Sequence, residues 1–158
     1  MRLDRTLTKH YPNLAAWLGE NIPRVRQKPQ VWSAFKDSVT KIGISLTTAE
    51  RAVALNNYPP TIDACTLIGA YGAFKPRLPC NRDKIFIAKW FARDFENIDR
   101  DVTVMTWMDV TLEATILHEM VHWADYKDGV ETPDDDEGDD VGAQFEKDAY
   151  GTVMTANW

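Results

Sequence analysis

TLEATILHEMVHWADY, residues 111–126, holds neither glycine nor proline and carries His118-Glu119-Met120-Val121-His122 at its centre. An unbroken stretch of this length makes about four helical turns, and Asp109 or Thr111 is placed to cap its start. At about 100° per residue, Leu112, Ile116, Leu117, Met120, Val121, Trp123 and Ala124 fill one half of the helical wheel. Asp125, His118, His122, Tyr126 and Glu119 fill the other half. The apolar half predicts a helix packed on a core. The histidines and the glutamate share the half that must face something polar.

Histidines four residues apart project from one helical face, so two neutral imidazoles can hold one metal ion there. A glutamate beside the first histidine can act on a water that the ion activates. This HExxH spacing identifies His118 and His122 as candidate metal ligands, Glu119 as candidate catalytic base, and Zn2+ as the expected ion. The chain has three histidines, so only His10 remains, far away in sequence. A catalytic zinc takes three protein ligands as a rule, and the third must therefore be sought among acids. Glu146 lies on a predicted helix 24 residues after His122, the arrangement of thermolysin-like peptidases. Asp128 lies six residues after His122, the position used by metzincins, but Asp125 stands where their turn needs glycine. Asp148 would point about 200° away from Glu146 on a helix. Glu146 is the preferred third ligand, with Asp128 the alternative. Asp125 could orient an imidazole or be a solvated acid at the helix end. Tyr126 and Tyr150 could donate to an oxyanion, although packing is the commoner use of a tyrosine.

The remaining sequence narrows the setting. At 158 residues, with 44% hydrophobic content and six tryptophans, the chain is expected to form a single domain over 1–158 with a sizeable core. A net charge of −6, with seven carboxylates among ETPDDDEGDD at 131–140, argues against nucleic acid and anionic membrane as partners. That acidic run fails the EF-hand pattern, since Pro133 and Gln144 would occupy the first and twelfth positions. It is expected to be an exposed loop. The start, MRLDRTLTKHYPNL, has no apolar core of the secretory-signal kind. Cys65 and Cys80 are expected to be buried thiols rather than a disulfide scaffold. A monomer is expected.

The pattern predicts an α+β fold: a mainly helical part over 1–75, then a small sheet, the HExxH helix and the third-ligand helix over 76–158. Residues 13–21, 29–40 and 47–57 carry helical apolar spacing, with Thr47 and Glu50 as a capping box. Residues 63–72 read as either a short helix or a buried strand. KIFIAKWF (84–91) reads as a β segment, 93–101 as a polar connection, and VTVMTW (102–107) as a strand leading into the HExxH helix. Lys127-Asp128-Gly129 should stop that helix, and VGAQFEKDAYG (141–151) reads as a helix ending at Gly151.

The C-terminal half also resembles a known group. ILHEMVHWADYKDG at 116–129, the acidic glycine-containing linker and FEKDAYG at 145–151 are similar to the metallopeptidase toxin 3 domains of bacterial polymorphic toxins. KPRLPCNRDKIFIAKWFARDFE at 75–96 extends the likeness more weakly, and about half of the chain is covered. The resemblance implies a zincin-like fold and a zinc-dependent peptidase. It implies release as the cargo of a secretion system, delivery into a competing cell, and a cognate immunity protein. It also favours Glu146 over Asp128. Two alternatives stand beside it. One is a metal amidase acting on a peptidoglycan peptide or an N-formyl group, for which Cys80 is a poorly matched ligand. The other is a metal-stabilised interaction module without catalysis.

Overall fold

The computed structural model describes residues 1–56, 58–77, 81–98, 102–128 and 140–154, with the backbone alone at 102–105 and 128. The acidic run at 131–139, Gly129 and Cys80 lie outside the described residues.

Five helical segments open the chain after a two-residue strand β1 (Arg2–Leu3): α1 (Arg5–His10), α2 (Pro12–Arg24), a 3-10 turn (Val25–Gln27), α3 (Pro29–Lys41) and α4 (Leu46–Val53). Proline at the first position starts α2 and α3, where its missing N–H has no helical partner to lose. Leu14, Leu18 and Ile22 on α2, and Val31, Phe35 and Val39 on α3, recur at four-residue spacing and are buried. α4 is capped by Ser45, whose side chain accepts from Thr48 N–H, and not by Thr47 as expected.

Strands β2 (Thr61–Cys65), β3 (Gly72–Phe74) and β4 (Lys84–Ala88) complete a four-stranded sheet in the order β1-β2-β4-β3. β1, β2 and β4 run parallel, and β3 pairs antiparallel to β4 at one edge, Gly72 facing Ile87 and Phe74 facing Ile85. Ile85, Phe86, Ile87 and Ala88 are all buried, so β4 reads as a continuous apolar run rather than an alternation. Three of the four strands lie ahead of residue 76, where the sequence led us to expect mainly helix. Residues 63–72 resolve into the end of β2, a turn and the start of β3.

Two segments differ from expectation. The β segment at 84–91 ends at Ala88, and α5 (Lys89–Asn97) takes up its last residues and most of the expected polar connection. α5 forms because Phe91, Ala92 and Phe95 bury one helical stripe. VTVMTW is not a strand: 102–107 is the start of α6 (Val102–Asp128), 27 residues long. Strand preference of β-branched residues depends on context. Here no glycine or proline separates 102 from 128, so the helix continues through them. Asp109 and Thr111 consequently sit inside the helix and do not cap it.

α6 runs through the centre of the structure. From Thr111 to Val121 every residue is buried, His118 and Glu119 on the polar half of the wheel included. β3 and α7 (Val141–Tyr150) cover that half. α7 is capped at its start by Asp140, which accepts from Gly142 and Ala143 N–H, and at its end by Gly151 in the left-handed conformation at φ 78°. Among the described residues, no helix is long and apolar enough to cross a membrane.

Candidate metal centre

His118 and His122 stand one turn apart on α6, and their Nε2 atoms converge to 3.2 Å. The carboxylate that meets them belongs to Asp140. Its Oδ1 lies 3.0 Å from His122 Nε2 and its Oδ2 3.6 Å from His118 Nε2. Ligands about 2.0–2.1 Å from a tetrahedral zinc are about 3.4 Å apart, so these spacings fit one ion of that size. One ligand atom from each of the three residues lies within 4.8 Å of the others. His118 is buried, His122 half-buried, and Asp140 half-exposed, so the convergence point opens toward solvent on the Asp140 side.

Glu146 occupies a different place. It is completely buried, and its Oε1 lies 2.8 Å from Nδ1 of His118, the nitrogen on the far side of the ring from the convergence point. Its Oε2 accepts from Met154 N–H. Asp148 is exposed and bonded by Gln144, 2.9 Å away. Asp128 ends α6, which continues to it without turning, about 9 Å along the axis from His122. His10 is exposed on α1.

Glu119 faces the sheet edge. Its Oε2 accepts from Phe74 N–H of β3 at 2.7 Å. An edge strand has main-chain N–H groups without a neighbouring strand, and here one of them fixes the glutamate. The approach requires Gly72: a Cβ there would stand 2.5 Å from Thr115 Cγ2 and 3.2 Å from Glu119 Cγ. Gly142 plays the same part across the helix, where a Cβ would stand 2.6 Å from the His118 ring.

The electrostatics follow from this packing. Burial pushes the Glu119 carboxyl up from its ordinary range, against the charges of both histidines and the Phe74 N–H. Burial also opposes charge on His118, but the Glu146 hydrogen bond and the charges of Glu119 and Asp140 raise it overall. Burial works against the Asp140 charge too. The His122 hydrogen bond, both imidazoles and the Ala143 N–H nevertheless hold its carboxyl well below the ordinary range. The arrangement is a buried carboxyl beside a cluster of two imidazoles and one carboxylate that could hold a metal ion.

The geometry bears comparison with known proteins. A family profile described as Metallopeptidase toxin 3 matches residues 7–151, nearly the whole chain rather than its C-terminal half. The chain belongs to the metallopeptidase toxin 3 family. No curated protein and no solved structure matches it. The family supports a toxin metallopeptidase with a metal cofactor.

The other residues singled out in the sequence have other surroundings. Tyr150 donates to Glu113 Oε1 at 3.2 Å, on the α6 turn before the histidines. Burial, then the charge of Glu113, pushes its phenol far above the ordinary range. The Tyr126 ring packs edge-on against Phe74, 5.6 Å between centroids. Asp125 is buried, so it is not the solvated acid of the second reading. Cys65 is half-buried at the end of β2, and burial raises its thiol. The sequence does not single out Asp140 as a ligand, because it reads as the last member of a solvated acidic run. The available signal was its position one residue ahead of the apolar-periodic helix at 141–151, where an aspartate is a favoured cap.

Proposed function

We propose that the chain is a zinc-dependent metallopeptidase in which Nε2 of His118, Nε2 of His122 and the Asp140 carboxylate hold the ion. The convergence of these three groups beside the buried Glu119 carries the reading. Asp140 and not Glu146 is the third ligand in this reading, because Glu146 faces the opposite nitrogen of His118. When bound, a zinc ion lowers the pKa of water to about 7 and polarises a carbonyl oxygen. Glu119 takes the proton from the attacking water and returns it to the leaving amine. The Phe74 N–H keeps the Glu119 carboxylate aimed while the proton moves. The toxin family supports a protein substrate and delivery into a target cell, and the same reading includes release by a secretion system and a cognate immunity protein.

The test is elemental analysis of the purified chain alongside proteolysis assays of wild type and Glu119→Gln. One zinc per chain in both proteins, with hydrolysis in wild type alone, is expected. Zinc absent from wild type after reconstitution overturns the reading.

A further inference from the structure

We infer that residues 151–154 are part of the metal site: Met154 N–H and Glu146 together fix the His118 ring so that Nε2 faces His122 and Asp140. The inference rests on the reading of His118 as a ligand. A carboxylate as buried as Glu146 is costly unless it is hydrogen-bonded. One of its oxygens meets His118 Nδ1 at 2.8 Å, and the other accepts from Met154 N–H. Met154 reaches it because the chain reverses at Gly151, whose positive φ of 78° closes α7 with an N–H bond to Lys147 O. The backbone thereby returns over a residue about one turn before the end of α7.

This contact sets the chemistry of the ring. A carboxylate against Nδ1 keeps the proton there and leaves the Nε2 lone pair for a cation. The ring is also held across its plane, since α7 passes so close at Gly142 that a Cβ has no room. Met154 N–H in turn holds the Glu146 carboxylate in the orientation that reaches Nδ1. Glu146 and Met154 are positioning residues, acting on the site through His118.

The test uses the full chain as wild type, Glu146→Gln, Met154→Pro and Met154→Ala, with a Met154 amide-to-ester version prepared by ligation in case proline disturbs folding. Co2+ affinity is read by chelator competition, the Co2+ absorption spectrum reports ligand geometry, and 15N shifts of His118 in the metal-free protein report its tautomer. Glu146→Gln, Met154→Pro and the ester should each weaken Co2+ binding about 10–100-fold, alter the spectrum and lose the Nδ1–H signature. Met154→Ala keeps the N–H and should retain the Nδ1–H signature. Wild-type affinity and an intact Nδ1–H signature in the proline and ester versions would overturn the inference. Failure of wild type to bind Co2+ would overturn the metal reading instead, while the tautomer still tests the Glu146–Met154 device by itself.

Discussion

Asp140 Oδ1 lies 3.0 Å from Nε2 of His122 while the same oxygen accepts from Gly142 and Ala143 N–H at the start of α7. One carboxylate thus begins a helix and completes the cluster with His118 and His122. Asp140→Asn keeps an oxygen for capping and loses the charge. It should lower the thermal midpoint of the metal-free protein through the lost pairing with the imidazoles and weaken zinc binding at least tenfold, or about 1.4 kcal/mol. Asp140→Ala should in addition destabilise the metal-free protein by about 1 kcal/mol. Chelator competition and urea unfolding separate the two effects.

Gly72 lets β3 approach α6 closely enough for Phe74 N–H to reach Glu119. Gly72→Ala should destabilise the fold by about 1–3 kcal/mol through overpacking and lower kcat with zinc content retained. Thr115→Ser removes the Cγ2 atom that the new methyl would strike, so the double variant should regain part of both losses. A double variant no better than Gly72→Ala would dismiss the steric account.

Tyr150 donates to the buried Glu113, which also accepts from Lys28 Nζ at 2.7 Å. Tyr150 therefore serves the join between α6, α7 and the start of α3. Tyr150→Phe should cost about 1 kcal/mol in urea unfolding and leave kcat unchanged. A kcat loss of a hundredfold or so, the size expected for an oxyanion donor, would contradict this assignment.

Asp83 accepts from Lys127 Nζ at 2.8 Å and from Trp123 Nε1 at 3.1 Å, tying the turn before β4 to α6. Burial works against its charge, but these two donors hold the carboxyl below its ordinary range. The unfolded chain then binds a proton more readily, so stability falls as pH drops from the unfolded value near 4 through the lower folded one. Asp4, lowered chiefly by Thr6 N–H, acts in the same direction. Asp83→Asn should lose less stability between pH 5 and pH 2.5 than wild type does, measured as the shift in urea midpoint.

The sequence determined what is local. The helical period puts His118, Glu119 and His122 on one face, and four-residue apolar spacing in α2 and α3 lets their helices be read directly. Gly151 marks the end of α7 because a left-handed closing position favours glycine. These features depend on neighbours within a turn or two of the chain. VTVMTW misled because its residues suit a strand by preference, while the uninterrupted segment around it continues as helix.

Only the tertiary structure decided which acid meets which nitrogen. Glu146 and Asp140 lie six residues apart on or beside α7, and either is sound as a ligand by type. Their roles follow from how α7 lies across α6, close enough at Gly142 to exclude a methyl group from the His118 ring. That approach puts Asp140 at the Nε2 side and Glu146 at Nδ1. It is fixed by packing between segments about 20 residues apart, which no local periodicity encodes. The same is true of Phe74, whose N–H reaches Glu119 from 45 residues away because β3 happens to be the open edge of the sheet.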